Sequence, residues 1–342
     1  MTIVNSHSSA RPAAEILAWS KELLDPALRA AVKRLPEKLR RIAGYHFGWW
    51  DGQGTPTRAG GGKALRSALV VLCAEAAGGD PAGALPAAVS VELVHNFSLL
   101  HDDVMDGDRT RRHRPTAWTV FGKGPAVLTG DALLGLAFEI LFPQGTSGAQ
   151  LLATGVLELI SGQAADLDFE QREEVTLGEC SAMAEGKTAM LISAACALGA
   201  VAAQAGPATV TRFGAFGKAL GLAFQHVDDL LGIWGDPGVT GKPVYSDLQS
   251  RKKTLPVVAA LTSGTGAGAE LSMLYRRRTA LVDGELVRAA QLVEQAGGRA
   301  WSQARAEALL TEGLDELAAL DLTARAAAEL TTLARLIVTR TH

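Results

Sequence analysis

The chain has 342 residues, of which 48% are apolar, 20% charged and 5% aromatic. Lys plus Arg number 33 and Asp plus Glu 36, for a net charge of -3. So much apolar material excludes wholesale disorder, and the near-balanced charge excludes a general attraction to nucleic acid or to an anionic membrane. At roughly 150 residues per domain the length allows two domains. No linker rich in Pro, Ser or charge divides the sequence, however, and one large helical domain is expected over 13–342.

Residues 1–12 read as a disordered tail, and MTIVNSHSSARPAAE lacks the apolar segment of a signal peptide. From Ala14 to Arg41 apolar residues recur at three- and four-residue spacing (Ile16, Leu17, Leu23, Leu24, Leu28, Val32, Leu35, Leu39), which predicts a helix. The Gly- and Thr-rich stretch 51–63 reads as a loop. Helical patterns follow at 64–77, 86–106, 125–142, 147–171, 176–204, 207–233 and 254–262, and again over 268–340. Alternating β-branched runs are nearly absent, so the fold class is all-α. The uncharged run Thr188–Thr211 is long enough to raise the question of a membrane span. Its Ala, Gly, Ser and Thr content, with Gln204 and Pro207 inside, predicts a buried, closely packed helix instead. Cys73, Cys180 and Cys196 are scattered and odd in number, which argues against a disulfide scaffold or a zinc ribbon and for a reducing, cytoplasmic setting.

Two acidic motifs carry the chemistry. HDDVMDGD (101–108) ends an apolar helical run, so that Asp102 and Asp106 share one helix face with about 6 Å of rise between them, and Asp103 sits beside them. Like charges at that spacing repel and sit poorly at the negative end of a helix dipole. A divalent cation between them reverses the balance, and oxygen-only ligation suits Mg²⁺, which takes one or two carboxylates and completes its shell with water and phosphate. FQHVDDLLGIWGD (224–236) repeats the pattern with Asp228 and Asp229, and Gln225 three residues before Asp228. An unpaired charge amid Leu, Val and Phe is costly, so these carboxylates are expected to serve a ligand.

Cations accompany the acids. GGGKALRS (60–67) sets Lys63 and Arg66 after a Gly-rich loop at the start of a helix, a natural anion site. RTRRHRPT (109–116) follows the first acidic motif, EGKTA (185–189) carries Lys187, and 240–256 carries Lys242, Arg251, Lys252 and Lys253. Acid clusters beside base clusters fit a diphosphate bridged to Asp through Mg²⁺ and held by Lys and Arg.

With these residues in place, the chain resembles the trans-isoprenyl diphosphate synthases, the polyprenyl synthetase family. The likeness runs from about Gly60 to Pro256 through GKALR, the E-x-x-H of Glu92 and His95, DDVMD, RR-x-x-PT, GDALL (130–134), GQAADL (162–167), GKTA, FQHVDD, GKPVYSDL and KKTLP. It implies an isoprenoid-synthase helical bundle with a central active-site cavity, working as a homodimer on isopentenyl diphosphate and an allylic diphosphate with three Mg²⁺. By resemblance, Asp102, Asp106 and Asp228 hold the metals, with Asp103 and Asp229 in support. Arg111, Lys187, Lys242 and Lys252 would meet the allylic diphosphate, and Lys63, Arg66, His95 and Arg112 the diphosphate of isopentenyl diphosphate. Thr188 and Gln225 would line the carbon that becomes cationic.

Two positions depart from the family pattern. The second motif carries Gly232 where the family has a fifth-position acid, and Asp236 lies about 12 Å further along a helix from Asp228. Ser67 stands where the family commonly has Pro. Phe97, five residues before Asp102, and Ser98, four before, resemble the chain-length floor of archaeal-type geranylgeranyl diphosphate synthases, which implies a twenty-carbon product, with fifteen carbons next. A class I terpene cyclase on the same fold would not need the isopentenyl diphosphate residues, and a non-catalytic partner subunit would not need both Asp pairs.

Overall fold

The computed structural model describes residues 10–57, 62, 64–240, 243–277 and 279–339. Helices follow one another almost without interruption. They are α1 (Ala13–Val32), α2 (Glu37–His46), α3 (Leu65–Ala76), α4 (Leu85–Met105), α5 (Ala117–Phe121) and α6 (Lys123–Leu141). Next come α7 (Thr146–Gln171), α8 (Leu177–Ala184), α9 (Met190–Ala202), α10 (Pro207–Trp234), α11 (Pro237–Thr240) and α12 (Ser246–Gln249). The chain ends with α13 (Leu255–Leu261), α14 (Gly266–Tyr275), α15 (Asp283–Gln295), α16 (Gly298–Ala318) and α17 (Ala324–Val338). Among the described residues the only strand pair is the two-residue hairpin β1 (Thr110–Arg111) and β2 (Arg114–Pro115). The all-α expectation therefore holds.

Three helical patterns are broken where apolar spacing alone runs them together. The expected 14–41 helix divides into α1, which carries Pro26 in its interior, and α2, whose N-cap is Pro36 in extended backbone at φ -51° and ψ 145°. The 176–204 run is interrupted at Glu185–Ala189 by a single π turn. Among the described residues the 268–340 amphipathic run resolves into four helices, α14 to α17.

Two compact units make up the stretch that reads as one domain in sequence. Each unit draws on separated segments, so no single linker marks a division. The first comprises 1–153, 194–214 and 317–333. Its centre is α3, buried on nearly every side from Leu65 to Ala76, and α4, which lies along α6. Ser90 Oγ donates to Ala137 O at 2.8 Å and stitches α4 to α6. Gly199 lets α9 touch α3, since a Cβ there would stand 2.3 Å from Val70 O. Of the expected tail, residues 1–9 lie outside the described residues. Arg11 is fixed, donating from Nε and Nη2 to Glu329 at 2.8 and 2.6 Å while its guanidinium lies 3.9 Å over Trp19.

The second unit comprises 154–193, 215–316 and 334–342. One apolar cluster joins Ile233, Leu248, Val257 and Leu271 to Leu286, Leu292 and Val293 of α15. Glycines bring backbones into contact around the π turn. A Cβ on Gly162 of α7 would stand 2.2 Å from Lys187 N, and one on Gly221 of α10 would stand 2.5 Å from Ala189 Cα. Among the described residues two helical stretches, Lys123–Gln144 and Leu177–Ala202, are long and apolar enough to cross a membrane; the second is mostly buried, in keeping with a packed core helix.

Close backbone approach at Gly199 yields a test. Gly199→Ala is expected to destabilise the protein by about 2 kcal/mol, because the Val70 carbonyl must move. Gly284→Ala in α15, where a Cβ meets nothing within 4 Å, should be neutral or stabilising by about 0.5 kcal/mol. Urea midpoints of both variants check the contrast.

Candidate active site

The first acidic motif sits at the C-terminal end of α4. Asp106 is the cap, its N–H donating to Asp102 O at 2.8 Å, and its carboxylate is exposed, while Asp102 is half-buried. Asp103 points inward, 1% exposed, and accepts from Arg111 Nε at 2.7 Å. Burial pushes the Asp103 carboxyl up to about 6 against the pull of Arg111. Asp103 thus holds Arg111.

Geometry sorts the four arginines of RTRRHRPT. The turn between β1 and β2 places Arg112 and His113 at φ 51° and 60°, the left-handed pair of a type I′ hairpin. Arg111 therefore faces Asp103, while the guanidinium of Arg112 lies against Gly62. Arg114 is structural: it donates to Tyr45 O and Trp50 O, both at 3.1 Å, and stacks 4.5 Å over the Tyr45 ring. Arg109 lies 5.9 Å from the Trp118 ring centroid.

Beside Arg112 lies a cavity of about 220 Å³, lined among others by Lys21, Arg29, Gly62, Glu92 and Asn96. Asn96 Nδ2 donates to Glu92 Oε1 at 3.1 Å, and Ser67 Oγ lies 3.4 Å from Glu92 Oε2. Ser67, at the family's Pro position, thus adds a buried hydroxyl next to Glu92. Burial raises the Glu92 carboxyl, and Asn96, Arg66 and Arg112 draw it back. Arg66 Nη1 lies 3.4 Å from His95 Nε2, and burial with Arg66 holds that imidazole neutral. His46 at the end of α2, which sequence reasoning missed, is pushed down to about 3 by burial and then by Arg112 and Arg111. Lys63 lies outside the described residues.

Phe97 is 6% exposed and meets His101 edge-on at 4.7 Å. His101 Nε2 lies 3.0 Å from Val127 O and 3.5 Å from Asp131 Oδ1, and it fits only because residue 130 is Gly. Phe97 therefore shares the α6-facing side of α4 with His101. Ser98, which donates to His95 O at 2.8 Å, shares the face of Asp102.

In the second unit, one oxygen gathers two cations. Lys187 Nζ lies 2.5 Å and Lys252 Nζ 3.1 Å from Asp166 Oδ2. The two ammonium groups hold the Asp166 carboxyl below its usual range despite burial, and Asp166 in turn raises Lys252. Asp166 lies in GQAADL, and its signal was an acid inside an otherwise small and apolar helical segment. Thr188 Oγ1 donates to Gln225 Oε1, and Gln225 Nε2 donates to Asp229 Oδ1 at 2.6 Å. Asp229 Oδ2 accepts from Leu255 N at 2.8 Å, so Asp229 anchors the start of α13. Burial and the charge of Asp247 push the Asp229 carboxyl up to about 7. Asp228 is exposed. Asp236 accepts from Gly238 N at 2.8 Å in the turn after α10. Lys242 lies outside the described residues.

Among the described residues no group of three or more His, Cys, Asp or Glu is spaced to enclose a metal ion. The carboxylates of half-buried Asp102 and of exposed Asp106 and Asp228 nevertheless fit a hard divalent cation that takes few protein oxygens and completes its shell with water and phosphate.

Comparison with known proteins gives a consistent result. The family model for polyprenyl synthetase matches residues 55–291. The (2E,6E)-farnesyl diphosphate synthase of Mycobacterium tuberculosis is 49% identical over 332 residues, covering 95% of this chain and 92% of that one. The geranylgeranyl diphosphate synthase of the same species is 50% identical over 278 residues, covering 80% and 79%. The crystal structure of a polyprenyl synthetase from Streptomyces coelicolor aligns with a TM-score of 0.90 at 45% identity, over 94% of this chain and 98% of that one.

The lysine pair generates a prediction. Asp166→Asn leaves two ammonium groups without their shared carboxylate and should cost about 2 kcal/mol at neutral pH, less than a fully buried pair because Lys252 is partly exposed. The lowered Asp166 pKa contributes stability that is present above its unfolded value of 3.8 and lost as pH falls through the lower folded value. Denaturation of wild type and variant between about pH 2 and pH 7 should therefore show the gap closing at the acid end.

Proposed function

The chain belongs to the polyprenyl synthetase family and is a trans-prenyltransferase, and we propose that it condenses isopentenyl diphosphate with an allylic diphosphate to give the twenty-carbon geranylgeranyl diphosphate, with Mg²⁺ as the divalent metal. The observation that carries this reading is that the cations accompanying the acidic motifs are held in place by buried carboxylates, one inside the first motif and one on α7. Asp103 orients Arg111, and Asp166 orients Lys187 and Lys252.

On this reading Lys187 and Lys252, with Lys242 and Arg111, take the allylic diphosphate, and exchange of Asp166 for phosphate oxygens keeps the ammonium groups paired throughout. Asp102, Asp106 and Asp228 would hold the three Mg²⁺ of this reading, and that charge would lower the cost of the diphosphate leaving. The allylic C–O bond breaks with its electron pair going to the diphosphate. Thr188 and Gln225, locked to each other and to Asp229, present fixed oxygen dipoles to the carbocation. The double bond of isopentenyl diphosphate, held by Lys63, Arg66, His95 and Arg112, forms the new C–C bond, and the proton then released passes to the departed pyrophosphate. Neutral His95 contributes hydrogen bonding there, while Arg66 and Arg112 bring charge.

Relatives named for fifteen- and twenty-carbon products are almost equally similar, so the length assignment rests on α4. Small, buried Ser98 below Asp102 leaves room for the chain, and Phe97, braced by His101, limits it. We further read the enzyme as a cytoplasmic homodimer. Leu128 and Phe142 along α6 and its end are 59% and 66% exposed, and the three cysteines are free and buried.

Two outcomes test this. Asp102→Ala should lower kcat by about a thousandfold while circular dichroism stays helical; activity near wild type would remove the mechanism. With Mg²⁺, isopentenyl diphosphate and each allylic starter, the expected product has twenty carbons, and Phe97→Ala should extend it. Unchanged length would put the floor elsewhere, and a cyclic product from one allylic diphosphate alone would mean a cyclase.

A further inference from the structure

Lys253, the second lysine of KKTLP, has no part in the chemistry above. Its Nζ donates to Phe169 O at 2.5 Å, and Phe169 lies in the last turn of α7, three residues beyond Asp166. The last carbonyls of a helix have no N–H of their own helix to meet, and they form its negative end. An ammonium group there both satisfies a carbonyl and balances the dipole. Lys252 Nζ reaches the same helix one turn earlier, at 3.1 Å from Asp166 Oδ2. Consecutive lysines therefore grip α7 at two points, one through a side chain and one through the backbone.

The segment that carries both lysines is fastened along its length. It starts at Arg251, in left-handed backbone at φ 53°, a conformation that flanking contacts must hold. The Arg251 guanidinium donates to Arg277 O and to Thr279 O. Lys252 N then donates to Asp247 O of α12 at 2.8 Å. Lys253 O accepts from Cys180 Sγ of α8 at 3.3 Å, and Leu255 N donates to Asp229 Oδ2 of α10 at 2.8 Å. Three helices thus set the backbone of the segment, and Lys253 ties it to the end of α7.

The two grips differ in what a substrate does to them. A diphosphate that takes Lys252 competes with Asp166 for the same ammonium group. The bond from Lys253 to Phe169 uses neither Asp166 nor Lys252, so it stays in place during that exchange.

We propose that Lys253 is a positioning residue for the allylic diphosphate: it holds the end of α7 against the 251–255 segment, so that Lys252 keeps its bearing while it passes from Asp166 to phosphate. The inference rests on the reading above in which Lys252 takes the allylic diphosphate. Lys253 acts through Lys252 and touches no substrate.

The test is steady-state kinetics of the full chain with Mg²⁺, each diphosphate being varied in turn at a saturating level of the other. K253M keeps an apolar stem and removes the donor. It is expected to raise KM for the allylic diphosphate about tenfold, the size of one lost charge-assisted hydrogen bond, and to leave KM for isopentenyl diphosphate within about twofold. K253R, which restores a cationic donor, should return the allylic KM to within about threefold of wild type. Equal rises in both constants, a lower melting temperature with both constants unchanged, or a K253R no better than K253M overturns the proposal. If K253M loses its helical circular dichroism, C180A decides: freeing the Lys253 carbonyl should raise the allylic KM about threefold, and an unchanged value overturns the assignment. K252M separates the two readings. If K252M raises the allylic KM and K253M does not, only Lys253 is misassigned. If K252M leaves the allylic KM at the wild-type value, the reading of Lys252 falls, and this inference with it.

Discussion

Two ammonium groups share one carboxylate oxygen at Asp166, and much of the second unit is arranged to make that possible. Lys187 can reach α7 only because Gly162 lets the π turn lie against its backbone, and that turn exists only because Glu185–Ala189 is wound one residue wider than its neighbours. Gly221 admits α10 to the same place and brings Gln225 within reach of Thr188. Backbone proximity at these glycines is thus converted into an ordered set of polar side chains. A cation pair held by an internal acid is also a cation pair ready to be handed to an external one, since the diphosphate offers the same chemistry with more oxygens.

Burial and charge oppose each other throughout. Asp103 and Asp229, second members of their Asp pairs, are the buried ones, and both carboxyls are raised by desolvation. Each turns to the protein, Asp103 to Arg111, and Asp229 to Gln225 and the start of α13. The first members are less buried: Asp102 is half-buried and Asp228 is exposed. The paired motif therefore divides its labour by helix geometry: adjacent residues point about 100° apart, so one must turn inward if the other is to meet a ligand.

Helix periodicity made the all-α class and most element boundaries legible, and the order of short motifs carried the family. What escaped were features set by packing at long range. The π turn has no periodic signature, because Gly162 and Gly221 that accommodate it lie in other helices. Asp166 stood in plain view within GQAADL, but its two lysine partners lie well downstream in sequence and nothing local pairs them. The arginines of RTRRHRPT looked equivalent until the hairpin turned Arg114 onto Tyr45 and Arg111 onto Asp103. His46 gave no signal, being a lone histidine at a helix end. Pro36 was a visible break that the apolar spacing of Leu35 and Leu39 outweighed.

The β1–β2 turn has a consequence for the spacing of the two diphosphate sites. Arg111 and Arg112 are consecutive, and left-handed backbone at Arg112 and His113 costs about 1 kcal/mol or more at each residue, which flanking structure must hold in place. On the proposed roles, a single planar peptide separates the cation that meets one diphosphate from the cation that meets the other. The turn thus sets the two guanidiniums on Cα atoms about 3.8 Å apart, the span of one trans peptide, and the conformations of the two arginine side chains alone decide how far apart the two charges stand.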